Sequence, residues 1–241
     1  MVRILVPVAL AALTGCATQA DHDQLVKRVS ELEAKVAEVD ARGVGKSASA
    51  KPKASAEDEA KAMELLKELE GLIADGKMTE AKAKVDEIFE KYPASTAAAR
   101  AKRTKVELSV VGKAVSNPDI ESWFVEGNVD LTSGSTLVVF WEVWCPHCRR
   151  EVPELQATFE KYKGRMDVVG LTRLTKNKTV EEVEKFIDEN DVSYPMAKES
   201  GKTASDFGVS GIPAAAIVKD GKIVWRGHPG KLTDDLIDKL I

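Results

Sequence analysis

The sequence predicts an α/β domain, a central mixed sheet with helices on its faces, preceded by a small all-helical segment and a possible coiled-coil stalk. Three patterns predict it. Beyond Pro118, short runs rich in β-branched and aromatic residues alternate with amphipathic helical stretches. Residues 57–116 show helical spacing alone, and from His22 to Asp40 the apolar residues step by four and three. A chain of 241 residues whose composition shifts this sharply is expected to hold more than one ordered unit, joined by tethers.

The amino-terminal residues read as an export signal over 1–15. Arg3 supplies the positive start, Ile4 to Leu13 an apolar core too short to span a bilayer, and Leu13-Thr14-Gly15-Cys16 a processing site. That tetrapeptide resembles the lipobox of bacterial lipoproteins, which implies lipid on Cys16 and a lipid-anchored protein of the cell envelope. Ala17 directly after Cys16 implies, by the same resemblance, the outer membrane, facing the periplasm. Residues 16–40 would then form a lipidated terminus and helical stalk, with Leu25, Val29, Leu32, Val36 and Val39 as a seam for a possible homo-oligomer. Residues 41–56, rich in Gly, Ser, Ala and Lys with Pro52 inside, have no periodicity and read as a flexible linker.

Within 57–116, Met63, Leu65, Leu66, Leu69, Leu72 and Ile73 line one helix, and Val85, Ile88 and Phe89 a second, with Asp75-Gly76 as the break. A third is expected from a Ser95 cap to about Val111. Ala81 and the Lys91-Tyr92-Pro93 ending resemble a tetratricopeptide repeat. Only about one and a half repeats are present, so a small bundle or spacer competes with a peptide-binding groove.

For residues 117–241 the expected strands are 122–125, 136–141, 167–172, 214–219 and 222–226, the last two joined by the hairpin signal Asp220-Gly221. Expected helices are 146–162, 180–190 after a Thr179 cap, 202–207, and 234–240 after Thr233.

The chemistry is carried by Trp144-Cys145-Pro146-His147-Cys148, placed where a buried strand hands over to a helix. Two thiols separated by two residues form the minimal device for exchanging disulfides with another protein. With Val139-Phe140-Trp141, Pro153 and the later Gly211-Ile212-Pro213, this run resembles the thioredoxin fold. The helical insert 179–190 and Glu151 narrow the resemblance to exported disulfide reductases of the TlpA/ResA type, over about residues 118–241.

At the start of its helix Cys145 meets unpaired amides and the positive end of the helix dipole, which favour negative charge on sulfur, so it is the expected attacking thiol. Pro146 fits the first helical position, where a missing amide costs nothing. Cys148, one turn in and more buried, is expected to stay protonated until it resolves the mixed disulfide. The resemblance implies a cis peptide at Ile212-Pro213 and substrate binding by Trp144, Ile212 and Pro213, an extended substrate pairing beside the cysteines. It also implies that Glu151 helps move the proton of the buried cysteine. Thioredoxin proper has a buried Asp where this chain has Val139, and Glu142 replaces the usual small residue with no role assigned to it. His147 is a redox-tuning residue: Cys-Pro-His-Cys resembles the oxidising DsbA motif, whereas the surrounding domain resembles reductases.

Composition narrows the partners. Lys plus Arg number 35 against 39 for Asp plus Glu, with no basic block interleaved with aromatics, so nucleic acid is not expected. The expected partners are protein substrates with cysteines, a membrane or envelope redox partner, and the membrane itself through Cys16. No cofactor beyond the Cys145/Cys148 pair is expected, and no metal: the histidines His22, His147 and His228 lack ligand spacing. Two other readings stay open. The same thiols could hold Cu(I), with His147 or His228 as a third ligand, or the helical segment could make the chain an assembly factor.

Overall fold

In the computed structural model of the chain, the backbone is described for residues 19–41 and 54–241. The export signal over 1–15, the lipidation site Cys16 and most of the linker 41–56 lie outside the described residues.

Helix α1 (Gln19–Ala41) belongs to a unit of its own, apart from residues 52–241. Its seam residues Leu25, Val29 and Leu32 are 60%, 49% and 60% exposed.

The second unit opens with three helices, α2 (Ala56–Ala74), α3 (Met78–Lys91) and α4 (Thr96–Ser109). Ser55 and Ser95 cap the first and third, their hydroxyls accepting the amides of Asp58 and Ala98. Gly76, at φ +73°, makes the left-handed turn between α2 and α3. Then follow β1 (Ile120–Val125), β2 (Ser135–Trp141), α5 (Cys148–Tyr162), β3 (Asp167–Thr172), α6 (Val180–Glu189), β4 (Met196–Glu199), α7 (Lys202–Asp206), β5 (Ala214–Lys219), β6 (Lys222–Gly227) and α8 (Asp234–Leu240).

The strands form one mixed sheet in the order β1-β4-β3-β2-β5-β6. Strand β2 lies at its centre, parallel to β3 and antiparallel to β5. The two-residue period of β2 sends Leu137, Val139 and Trp141 into one core and Val138 and Phe140 into the other, so both faces of the sheet are covered. Thr179 and Glu182 form the capping box that starts α6, and Asp220-Gly221 turns the last hairpin with both residues at positive φ.

Strand β4 is the element the periodicity does not reveal. Its four residues, Met-Ala-Lys-Glu, have little intrinsic strand preference and become a strand because β3 and β1 pair with it from either side.

Helices α2–α4 are built onto the sheet domain. Leu66, Leu69, Ile88 and Leu108 share one buried core with Trp225, Leu236 and Ile237. Gly76 rests on Leu236 and Leu240 of α8. Residues 112–115 run along the edge of β6: Gly112 N–H donates to Ile223 O (2.8 Å), Ile223 N–H to Lys113 O (3.1 Å) and Val115 N–H to Gly221 O (2.8 Å).

Candidate active site

Strand β2 is buried along nearly its whole length and delivers Trp141 to the edge of the core, where the backbone turns. The turn is closed by Cys145 N–H donating to Glu142 O at 3.0 Å. Helix α5 is assigned from Cys148, two residues later than expected at 146. Its hydrogen bonding begins earlier, since Arg149 N–H donates to Cys145 O (3.1 Å) and Glu151 N–H to His147 O (3.1 Å), so Cys145 stands at the helix start.

The two sulfurs occupy unequal places. Cys145 retains 4% exposure and Cys148 none. The Cys148 N–H, one of the amides left over at the helix start, points at Cys145 Sγ at 3.4 Å, where it would support a thiolate. The Cys145 thiol also lies 3.8 Å from Ile212 O. Burial, and after it the neighbouring Cys145 sulfur, pushes the Cys148 thiol far up from its ordinary range.

Across from the cysteines the Ile212–Pro213 peptide is cis, with Ile212 half-buried and Pro213 buried. Helix α4 reaches this loop through Arg103, whose guanidinium lies 3.4 Å from Pro213 O while Arg103 Nε donates to the nearly buried Glu107 at 2.7 Å. Pro146 and His147 are exposed at the tip. His147 Nδ1 faces Arg150 Nη2 at 2.7 Å, and because a guanidinium only donates, this bond requires a bare Nδ1. In this geometry His147 faces the Arg150 guanidinium.

The acidic groups separate. The Glu151 carboxylate packs against the turn after β6, so closely that a Cβ on Gly230 would come within 3.0 Å of it. There it neighbours His228, whose Nδ1 accepts the Gly230 amide at 3.1 Å and whose basicity is lowered by burial, partly offset by the Glu151 charge. Glu142, by contrast, is 4% exposed, and its charge is among those acting on Cys148. Trp144 Nε1–H donates to Glu142 Oε2 at 2.6 Å and to Thr175 Oγ1 at 3.0 Å, and the Thr175 hydroxyl donates to the same Glu142 oxygen. Lys176 Nζ sits 3.1 Å from the centroid of the Trp144 ring. The structure therefore brings Trp144, Cys145, Cys148 and Ile212-Pro213 together and adds Glu142, Arg173 and Thr175, which sequence reasoning did not assign. The only signal for them was the departure at Glu142 from a small residue.

Among the described residues, no group of three or more His, Cys, Asp or Glu is arranged to hold a metal ion. No helix among them is long and apolar enough to cross a membrane.

A mixed sheet with a two-thiol turn at the end of its central strand, a cis-proline loop opposite and helices on both faces defines a thioredoxin-like domain. Sequence comparison with known proteins agrees. Residues 127–226 match the model of the AhpC/TSA family. The chain is 25% identical over 104 residues to the thioredoxin-like protein YneN of Bacillus subtilis, covering 43% of this chain and 61% of that protein. It is 29% identical over 126 residues to the thiol-disulfide oxidoreductase ResA of Bacillus thuringiensis subsp. konkukian, covering 50% and 71% respectively. A solved thiol-disulfide isomerase from Corynebacterium glutamicum aligns with a TM-score of 0.46 at 20% identity, over 53% of this chain and 92% of that one. The chain thus spans about three-fifths of the Bacillus subtilis relative's length, and the likeness lies in the carboxyl-terminal domain. Within the thioredoxin-like class, that domain is similar to the thiol-disulfide oxidoreductase ResA.

Proposed function

We propose that the chain is a membrane-tethered thiol-disulfide oxidoreductase that exchanges disulfides with cysteine-containing envelope proteins through Cys145 and Cys148. The observation that carries this reading is the unequal setting of the two sulfurs. Cys145 is at the helix start with the Cys148 amide aimed at it, and Cys148 is fully buried one turn behind.

In the reducing direction the Cys145 thiolate attacks one sulfur of a substrate disulfide. The substrate S–S bond breaks, one substrate sulfur leaves and takes up a proton, and a Cys145–substrate disulfide forms. Cys148 then loses its proton and attacks Cys145 Sγ. The second substrate thiol leaves, and a Cys145–Cys148 disulfide remains, two electrons having passed to the substrate. Reversal of both steps oxidises a dithiol substrate. A dithiol or disulfide partner in the envelope resets the pair, and no further cofactor enters.

The remaining residues take supporting roles in this reading. Trp144, Ile212 and Pro213 form the face on which an extended substrate lies, Pro146 and His147 tune the pair, and Glu151 carries the proton released by Cys148. Lipid on Cys16 holds the chain to the membrane, facing the periplasm from the outer membrane, and the exposed seam of α1 pairs with a second copy. The lipid and its location rest on the sequence, as does the identity of the partner proteins as cysteine-bearing.

The test is substitution of each thiol. Cys145→Ala abolishes reduction of a model protein disulfide, while Cys148→Ala accumulates covalent adducts that thiol reagents release, read on non-reducing gels. Full activity in the Cys145→Ala protein refutes the assignment.

A further inference from the structure

Glu142 is a carboxylate where the backbone alone would suffice, since the turn into α5 is made by its carbonyl. Burying a carboxylate is unfavourable unless its oxygens are fully bonded. Here both are. One takes the Trp144 indole and the Thr175 hydroxyl, and the other faces Arg173 Nη2 at 3.4 Å. These partners come from two places, the residue directly before Cys145 and the loop between β3 and α6. The bond from Trp144 to Thr175 closes the triangle, and Lys176 of the same loop lies over the indole.

Arg173 also faces Glu199, through Nε at 3.8 Å, and Glu199 is as buried as Glu142, at 3% against 4% exposure. One guanidinium thus faces two buried carboxyl groups. Arg173 is itself 43% exposed on its side chain, so part of its charge is spent on solvent. The other cation of this loop, Lys176, lies over the Trp144 ring.

We propose, resting on the exchange reading above, that Glu142 is a positioning residue of this site. Its carboxylate locks Trp144 and the 173–178 loop into one platform beside Cys145, and its charge makes the Cys145/Cys148 pair a stronger reductant than the same pair beside a neutral residue. The disulfide carries no charge, whereas the reduced pair carries one whenever a sulfur is ionised. A fixed anion close by disfavours only the second state. At Cys148, where burial dominates and the Cys145 sulfur comes next, the Glu142 backbone favours ionisation and the Glu142 side-chain charge, the smallest of the influences, opposes it, so replacing the side chain alone isolates the charge.

The experiment is equilibration of the full chain in glutathione buffers, following the dithiol fraction by thiol alkylation. Glu142→Gln, which keeps a carbonyl acceptor for Trp144 and Thr175, shifts the equilibrium about tenfold toward the dithiol at mildly alkaline pH, or about 30 mV. The difference fades as pH falls and the reduced pair loses its charge. Glu142→Asp keeps the charge and stays near wild type. Thr175→Val keeps the charge but loosens the platform, so KM for a protein disulfide rises with the equilibrium unmoved. Should Glu142→Gln not fold, Arg173→Met, which removes the counter-charge, shifts the equilibrium toward the disulfide. An unchanged constant in whichever of Glu142→Gln and Arg173→Met folds overturns the proposal while leaving the exchange reading intact. A wild-type chain that does not equilibrate with glutathione at all overturns both.

Discussion

Leu108→Ala tests whether the helices and the sheet domain are one cooperative structure. Leu108, on α4, is 2% exposed and lines the same crevice as Met78 of α3 and Trp225 of β6. Truncation removes three buried carbons. At about 0.8 kcal/mol each this is about 2.4 kcal/mol of lost transfer energy. Incomplete closure of the cavity brings the cost to about 3 kcal/mol, within the range for buried leucines. With an m-value of about 2 kcal/mol/M the urea midpoint falls by about 1.5 M. The assay is urea unfolding followed by far-UV circular dichroism and by tryptophan fluorescence, with disulfide exchange measured along the same series. One shared core requires all three signals to move together. A helical transition that shifts while tryptophan fluorescence and exchange stay at the wild-type midpoint would refute the shared core.

Two further outcomes follow from individual side chains. His228 has its basicity lowered by burial, so between its folded and unfolded values the unfolded chain binds the extra proton, and stability falls as pH drops below about 6.5; His228→Gln flattens that part of a pH series of thermal melts. Tyr194, fully buried, donates to Val152 O at 2.9 Å beside Pro153 in α5, and Tyr194→Phe lowers stability by about 1–2 kcal/mol in chemical denaturation while the rate of exchange per folded molecule stays the same.

What the sequence made legible was whatever local pattern determines. The five strands with strong apolar runs and the four expected helices of the sheet domain appear within a few residues of their expected places, because their faces bury in the way their periods imply. The caps at Ser95, Thr179 and Thr233 and the Asp220-Gly221 turn are local hydrogen-bond chemistry, and each is present. The thiol pair and Ile212-Pro213 could be joined only through the family resemblance, since 67 residues separate Cys145 from Ile212 along the chain.

What stayed hidden depends on neighbours distant in sequence. The strand Met196–Glu199 exists through pairing on both edges, and the 112–115 segment joins β6 although a helical reading of 57–116 places it beyond the last helix turn. That pairing bears on any attempt to separate function between the halves. Removing residues 57–116 would strip the covering segment from β6 and expose Trp225, Leu236 and Ile237, so lost partner capture in such a truncation could not be told from a damaged domain. A point change on the outer face of α2 or α3 leaves the shared core in place. Lys61 and Glu64 are exposed there, and charge reversal at both alters a docking surface without touching the sheet. If the helical segment captures a partner, that double variant loses capture and keeps exchange; if the segment only supports the core, it keeps both.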